Sequence, residues 1–451
     1  PLISSIGENL LLREKTGAIA LMTTTRLVFA FSNRVMNENY LRAALQRDAD
    51  GRYPSLGEAV RRAKNTTYTF FGDVINNRKF TLLGDPALTL AYPIYRVSAT
   101  AINNVPISAT PDTLKALSQY SISGVVQDLD GNVMTDFNGT VYSTVFDKAQ
   151  TVNTLGNDPG SAVTPVQVQK NIVFKGKAKV TNGAFTINFI VPKDINYQFG
   201  NGKISFYADN GSVDGHGAHT DIVIGGSGNG VADNEGPDIK AYLNDESFVN
   251  GGITHNRPIL LVKLADSNGI NVMGTGIGHD LVALMDNDPE KQFVLNEFYE
   301  SEIDNFRRGM VRFQMPELEE GWHTLTIKAW DAANNSGEKT IEFRVVRNDR
   351  LSIDHVLNYP NPFTTSTTFW FDHNRAGEEL RVSVEIYTIT GKLVKTIRQT
   401  IFSTGNRSSE VQWNGRDDYG NRLGRGVYIY RLKVQAADGK SAEKLEKLYI
   451  L

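Results

Sequence analysis

Not one cysteine occurs among the 451 residues. A thiol nucleophile, a disulfide framework and thiolate metal sites are therefore excluded within this chain. Long apolar runs are missing too: none approaches the ~20 residues that a membrane-spanning helix needs, and the longest are strand-sized. Neither sign of charge dominates, with 47 Lys and Arg against 50 Asp and Glu and a net charge of -3. Phosphate backbones select a dense positive field, so nucleic acid is excluded as a partner class. Of the seven histidines only His216 and His219 stand close together. Zinc takes three or four protein ligands and no third is near, so no metal or cofactor is assigned, and the pair reads as part of a polar loop beside Gly215 and Gly217. At Pro1 there is neither an initiator methionine nor a charged-then-apolar leader, and an upstream portion is expected.

What is present sorts into two textures, and a length prior of about 150 residues per domain predicts roughly three domains. Residues 1–93 mix helix and strand signals. Ser4 or Ser5 caps a helix with Ile6 and Leu10 on one face, Gly17 breaks it, and the apolar run Ala18 to Met22 predicts a buried strand ending in Thr23-Thr24-Thr25. Helical spacing predicts helices over Asn33 to Gln46 and Ser55 to Lys64, the latter with Leu56, Ala59, Val60 and Ala63 inward, and Phe80 to Leu83 is a second strand. Helices alternating with strands make this an α/β region.

From Ile94 short alternating segments take over. Strands are predicted at Tyr120 to Gln127, Thr140 to Phe146, Asn171 to Val180, Ala184 to Val191 and Lys203 to Tyr207. Asp130-Gly131-Asn132, Asn138-Gly139 and Asn182-Gly183 supply turns of positive φ between them. Residues 94–230 thus read as a β-sandwich. Gly225 to Gly230 and Ala232 to Pro237 have almost no apolar content and predict a flexible linker. A second sandwich, residues 231–349, is expected with strands at Pro258 to Ala265, Leu281 to Met285, Gly309 to Met315, His323 to Trp330 and Lys339 to Val346. Residues 350–451 form a third all-β unit, with strands near Thr367 to Phe371, Leu380 to Tyr387, Leu393 to Thr400, Ser409 to Trp413 and Gly426 to Val434.

No self-contained active site emerges from these residues. Asp128-Leu129-Asp130-Gly131-Asn132 resembles half a calcium loop but lacks the closing acid, where Asn138-Gly139 stands, and reads as a hairpin turn. Asp331 to Asn335 reads the same way, as strand-end side chains that satisfy local backbone. No Gly-x-Ser-x-Gly element lies between a strand and a helix.

Two stretches resemble known families. The last unit carries, in order, Asn358-Tyr359-Pro360-Asn361-Pro362-Phe363, Ile386 to Val394 around Gly391, Trp413-Asn414-Gly415-Arg416-Asp417, Gly424-Arg425-Gly426-Val427-Tyr428-Ile429-Tyr430 and Lys447 to Leu451. That order resembles the C-terminal sorting domain of cargo proteins of the type IX secretion system of Bacteroidetes. The prolines enforce an extended lead-in, Gly391 and Gly415 turn hairpins, and Gly426 lets the chain bend before an aromatic strand. Tyr428 and Tyr430 are weighed as interface anchors against plain core aromatics. At the other end, Gly17 to Thr25 resembles the strand after the nucleophile in gingipain-type cysteine peptidases, and Leu82 to Leu88 resembles their closing Gly-Asp-Pro segment.

The resemblance implies a fold and a role. The fold is the distal part of a caspase-like α/β domain, then two immunoglobulin-like sandwiches, then a C-terminal β-sandwich sorting domain. The family's catalytic His and Cys lie upstream of the matching elements, hence before Pro1. Thr24, Thr25, Arg26 and Leu27 fall just beyond the strand end where α/β enzymes build substrate clefts, and are candidate cleft residues. Tyr359, Pro360, Asn361, Pro362, Gly391, Trp413, Gly426, Tyr428 and Tyr430 are candidate docking residues. The combination looks most like the family's surface sortase, which would cut sorting domains from cargo and join the cargo to anionic lipopolysaccharide. Its own sorting domain would dock on the outer-membrane shuttle barrel PorV and other attachment-complex components, placing it peripherally on the outer membrane at the cell surface. Two other readings stand beside it: a non-catalytic surface adhesin or scaffold, and the tail of a secreted gingipain-like protease.

Overall fold

The computed structural model describes all residues except 1–4, 14–15, 110–112, 229, 231–232 and 275–277. By internal contacts the chain divides into two units, residues 1–95 with 128–132, and residues 96–127 with 133–451.

In the first unit Ser5 and Glu8 cap each other reciprocally, each side chain accepting from the other's N–H at 3.2 and 2.7 Å, and this starts α1 (Ile6–Leu12). Ser4, the other candidate cap, lies outside the described residues. The expected buried strand is Leu21–Thr24, and all four of its residues are only half-buried. α2 (Ala30–Ala44) and α3 (Leu56–Phe71) close over Met36, Ala63 and Phe80. The third helix runs past Lys64 to Phe71 because nothing stops it until Gly72, whose φ of 61° forms the left-handed cap. α4 (Ile75–Lys79), a single turn too short to show periodicity, leads into Phe80–Leu83, which pairs antiparallel with Leu21–Thr24.

The second unit is all β. Its first sandwich has a sheet ordered Ile172–Val180, Gly139–Phe146, Lys203–Asp209, Asp214–His219, Tyr95–Ile102, Gln119–Gln127 and Ala184–Ile190. A small three-stranded sheet has the order Gly200–Asn201, Val223–Ser227, Leu114–Ala116. Strict alternation in Gln119–Gln127 turns Tyr120, Ile122 and Val126 into the core. Asn182 and Gly183 take φ of 50° and 76°, as a tight turn requires. Asn138-Gly139 does not: Gly139 begins a strand, and its missing side chain admits the Asp209 carbonyl, which a Cβ would meet at 2.3 Å. The expected linker is corrected in its first part, since Val223–Ser227 is a strand that pairs through Val223, Ile224 and Ser227, with Gly225 and Gly226 at an irregularity between the paired residues.

The second sandwich stacks a sheet of Asp238–Leu243, Ile259–Ala265, Asn305–Gln314 and Tyr299–Glu302 on one of Ile253–Thr254, Ser336–Val345, Gly321–Trp330, Val282–Met285 and Gln292–Val294. The third pairs Ile353–Tyr359, Thr367–His373 and Arg407–Trp413 in one sheet and Leu393–Ser403, Glu378–Thr388, Gly426–Ala436 and Ser441–Ile450 in the other. Its core runs from Phe369 and Phe371 to Tyr430, Leu432 and Leu448.

The joint between the first two sandwiches is hydrogen-bonded. Beside strand Ile172–Val180, the Lys177 N–H donates to Ser301 Oγ (3.2 Å), the Asp304 N–H donates to Lys177 O (3.0 Å) and the Lys179 N–H donates to Asp304 Oδ1 (2.9 Å). Asp194, from the first sandwich, accepts from Asn271 (2.8 Å) and Asn334 (2.6 Å) of the second and lies 2.9 Å from His279 Nδ1.

Candidate functional site

At the N-terminal end of the chain the candidate cleft residues follow strand Leu21–Thr24. Thr24 is the last paired residue, opposite Phe80. Thr25 stays tied to the neighbouring strand's lead-in, its N–H and its hydroxyl both donating to Lys79 O at 3.0 and 3.2 Å. Arg26 and Leu27 then turn outward, Leu27 being 93% exposed. Lys79 Nζ donates to Leu27 O at 2.6 Å and lies 5.6 Å from the Phe29 ring centre, so a cation and an aromatic stand directly behind the strand end. Lys79 and Phe29 were not singled out in the sequence, because only the antiparallel pairing brings Lys79 to this point.

In the last sandwich the candidate docking residues divide by exposure. Tyr428 is buried and its hydroxyl donates to Gly424 O at 2.9 Å, while Tyr430 is fully buried with its ring 4.9 Å from Phe369, edge-on. Both are core aromatics, which corrects the anchor alternative: the inward face of Gly426–Ala436 takes every second residue, and both fall on it. Trp413 is buried against Phe363, its indole N–H donating to Arg416 O at 2.9 Å. Gly391 (φ 86°) turns a hairpin and Gly426 (φ 154°) starts the aromatic strand. Asn361, between Pro360 and Pro362, fastens the final strand: its Nδ2 donates to Lys447 O (3.1 Å) and its Oδ1 accepts from the Tyr449 N–H (2.9 Å). Tyr359 is 69% exposed and is the member of the set that offers a ring to solvent.

The histidine pair and the two aspartate loops also resolve. His216 and His219 lie on one strand, opposite Tyr207 and Ile204, three residues apart and so on opposite faces; they cannot share an ion, and they sit in a strand rather than in a loop. Asp128 accepts from the Asp130 and Asn132 N–H groups as the turn reading predicts, and the Asn132 side chain and backbone hold its carboxyl below the ordinary range. Asp331 does bond to Asn335, but the fold adds what its spacing hides. Ligand atoms of Asp233, Asp266 and Asp331 lie within 4.8 Å of one another, the one such group among the described residues. Hard oxygen donors of this kind suit a divalent cation. Each already accepts protein donors: Asp233 from Ser267 and Asn268, Asp266 from the Asn268 N–H (2.7 Å), Asp331 from the Asn335 N–H (2.6 Å). Burial, with the like charges of Asp331 and Asp233 adding to it, pushes Asp266 up to about 6.

Comparison with known proteins bears on both ends of the chain. Residues 1–91 match the sequence model of peptidase family C25, and residues 362–440 match that of the FlgD Ig-like domain. By class, then, residues 1–91 are similar to a gingipain-family peptidase segment and residues 362–440 to an immunoglobulin-like domain, which agrees with the resemblance drawn from Gly17 to Thr25 and Leu82 to Leu88. A particular protein to which the chain is similar is PorU from Porphyromonas gingivalis, known as a dimeric latent form. Identity is 32%, covering 96% of this chain and 41% of that one, with a TM-score of 0.36. The chain thus spans about two fifths of that PorU chain. It is 14% identical to the Arg-specific cysteine proteinase gingipain R over 50% of this chain and 42% of that one, with a TM-score of 0.19. A Bacteroides ovatus protein of a mixed-linkage glucan utilization locus, SGBP-B, is 10% identical over 79% of this chain and 70% of its own, with a TM-score of 0.24. None of the curated proteins compared matches the chain.

Proposed function

We propose that this chain is the C-terminal part of a PorU-type cell-surface sortase, a cysteine peptidase and transpeptidase that removes C-terminal sorting domains from type IX cargo and attaches the cargo to anionic lipopolysaccharide. The observation that carries the reading is the pairing of a C25 peptidase match over residues 1–91 with sorting-domain motifs ordered through residues 358–451. With no cysteine in this chain, this reading needs a nucleophile from outside these 451 residues, with a histidine as its base. The Cys thiolate attacks the scissile carbonyl, the peptide amine leaves with a proton, and the resulting thioester passes its acyl group to an acceptor amine in competition with water. The strand end at Thr24 to Leu27 lines the cleft, and the last sandwich docks on PorV at the outer membrane.

The test is made on the full-length protein with a cargo substrate and an amine acceptor. Release of the sorting domain together with an amide-linked product is expected. Hydrolysis without transfer would reduce the reading to a protease, and no cleavage would refute it. Docking is separately testable: deleting residues 351–451 should abolish co-purification with PorV, and unchanged co-purification counts against it. Mass spectrometry of the mature surface protein should find Leu451 still present.

A further inference from the structure

The connection between the second and third sandwiches is not built as a tether. Strand Ser336–Val345 ends, the Val346 N–H donates to Thr254 O at 2.9 Å, and strand Ile353–Tyr359 follows. In between, three backbone carbonyls are taken up by the following domain. Asn374 Nδ2 donates to Arg347 O (3.1 Å) and Arg350 O (2.9 Å), and Arg375 Nη2 donates to Asn348 O (2.8 Å). Asn374 Oδ1 accepts from the Ser352 N–H at 2.9 Å, and Lys440 Nζ reaches Asn348 O at 3.3 Å. The two side chains that do most of this are interior: Asn374 is 0% and Arg375 6% exposed. A second network pins the same joint from the side. Buried Asn406 accepts from Asn244 and from Thr254 Oγ1 of the second sandwich and donates to His373 O, and Thr404 Oγ1 donates to Asp245 Oδ2 at 3.0 Å. Gly405 is needed for this approach, since a Cβ there would lie 2.1 Å from the Asp245 carboxyl.

The side chains of Arg347, Asn348, Asp349 and Arg350 are exposed while the carbonyls of Arg347, Asn348 and Arg350 are occupied. An endoprotease binds its substrate as an added extended strand, which requires free carbonyls and N–H groups on both sides of the scissile bond. Here the carbonyls of Arg347, Asn348 and Arg350 and the N–H of Ser352 become free only when the joint opens.

We propose that the Arg347 to Ser352 joint is a lock that keeps the last domain from being released by endoproteolysis. Resting on the sortase reading, it also answers how an enzyme that cuts sorting domains from other chains retains its own: any cut that frees residues 352–451 with their fold intact falls in this joint.

The test treats the purified chain with trypsin, for which Arg347 and Arg350 are sites, and follows fragments by mass spectrometry. The native chain should give no fragment beginning at Asn348 or Leu351, whereas Asn374→Ala should be cut there about tenfold faster or more, since three hydrogen bonds closing the joint are lost. Cutting of the native chain there as fast as in urea overturns the proposal. So does an Asn374→Ala variant that keeps its circular dichroism and is cut no faster. Amide exchange of native Ser352 reads the joint without any variant: slow exchange, as in the core strands, is expected, and loop-like exchange refutes the lock. Cargo cleavage is assayed apart, so its failure with a trypsin-resistant joint removes the sortase reading alone.

Discussion

Three loops of one design show what a single neighbour does to an aspartate. Asp128, Asp331 and Asp417 each accept from the N–H of an asparagine further along the loop, Asn132, Asn335 and Asn421, at 2.8, 2.6 and 2.8 Å. Hydrogen bonds hold Asp128 below the carboxylate range, whereas burial, with Asp233 adding, raises Asp331 and lifts Asp266 to about 6. A carboxyl raised in the folded state holds its proton longer there than in the unfolded chain, so its contribution to stability is full below about pH 4 and is lost as pH rises through about 6. Asp266→Asn should therefore stabilise the second sandwich at pH 7 by about 1 kcal/mol, allowing for solvent screening, and by little at pH 4. Urea unfolding at the two pH values checks this. His373 has the opposite sign. Burial pushes its imidazole down to about 4, with Nδ1 accepting from the Arg375 N–H and Nε2 2.8 Å from Ser403 Oγ. The neutral ring's contribution is present above about pH 6.5 and is lost as pH falls toward 4, by about 3 kcal/mol at most. The third sandwich should weaken on acidification from pH 7 to 5, and His373→Gln should flatten that slope; an unchanged slope in the variant would place the titration elsewhere.

At the scale of elements, alternation decided what was readable. Phe80–Leu83 was legible to the residue, and the five expected strands of the second sandwich to within a few residues, whereas Asp238–Leu243, Ile253–Thr254, Gln292–Val294 and Tyr299–Glu302 were not read. Two strands of the last sandwich escaped. Ile353–Tyr359 carries a bulge and a His355 at φ 45°, and its inward Asn358 is polar because it bonds Thr367. Ser441–Ile450 is read as charged, since Lys444 and Glu446 share the partly covered face with Leu448 and Ile450. The candidate cleft residues were legible as a strand end, whereas Lys79 behind them and the three-carboxylate group depend on pairings between residues far apart in sequence. Asn361 is the sharpest element-level case, a side chain acting as a strand partner for the last strand. Asn361→Ala should cost about 1–2 kcal/mol and speed exchange of the Tyr449 amide well ahead of Leu432, which heteronuclear NMR can resolve.

At the scale of the molecule, the all-β unit is held by polar joints between apolar cores. Asp194 is the centre of one of them, satisfying Asn271, Asn334 and His279 from the neighbouring sandwich. Removing it takes an acceptor from buried Asn271 and from half-buried Asn334 and His279, at about 1–3 kcal/mol. Asp194→Ala should split the thermal unfolding of the first two sandwiches into separate calorimetric transitions, each near its own core's stability; a single cooperative transition would show that the joint does not couple them.

That joint has a further consequence. Strand Ile172–Val180 ends its sheet, and an uncovered sheet end is where a second molecule adds and templated aggregation begins. Ser301 to Asp304 lie along it and use up its backbone groups at Lys177 and Lys179. Neighbouring sandwiches thus serve as one another's protection against polymerisation, so a variant that merely loosens them should first be noticed as a protein that clumps when concentrated.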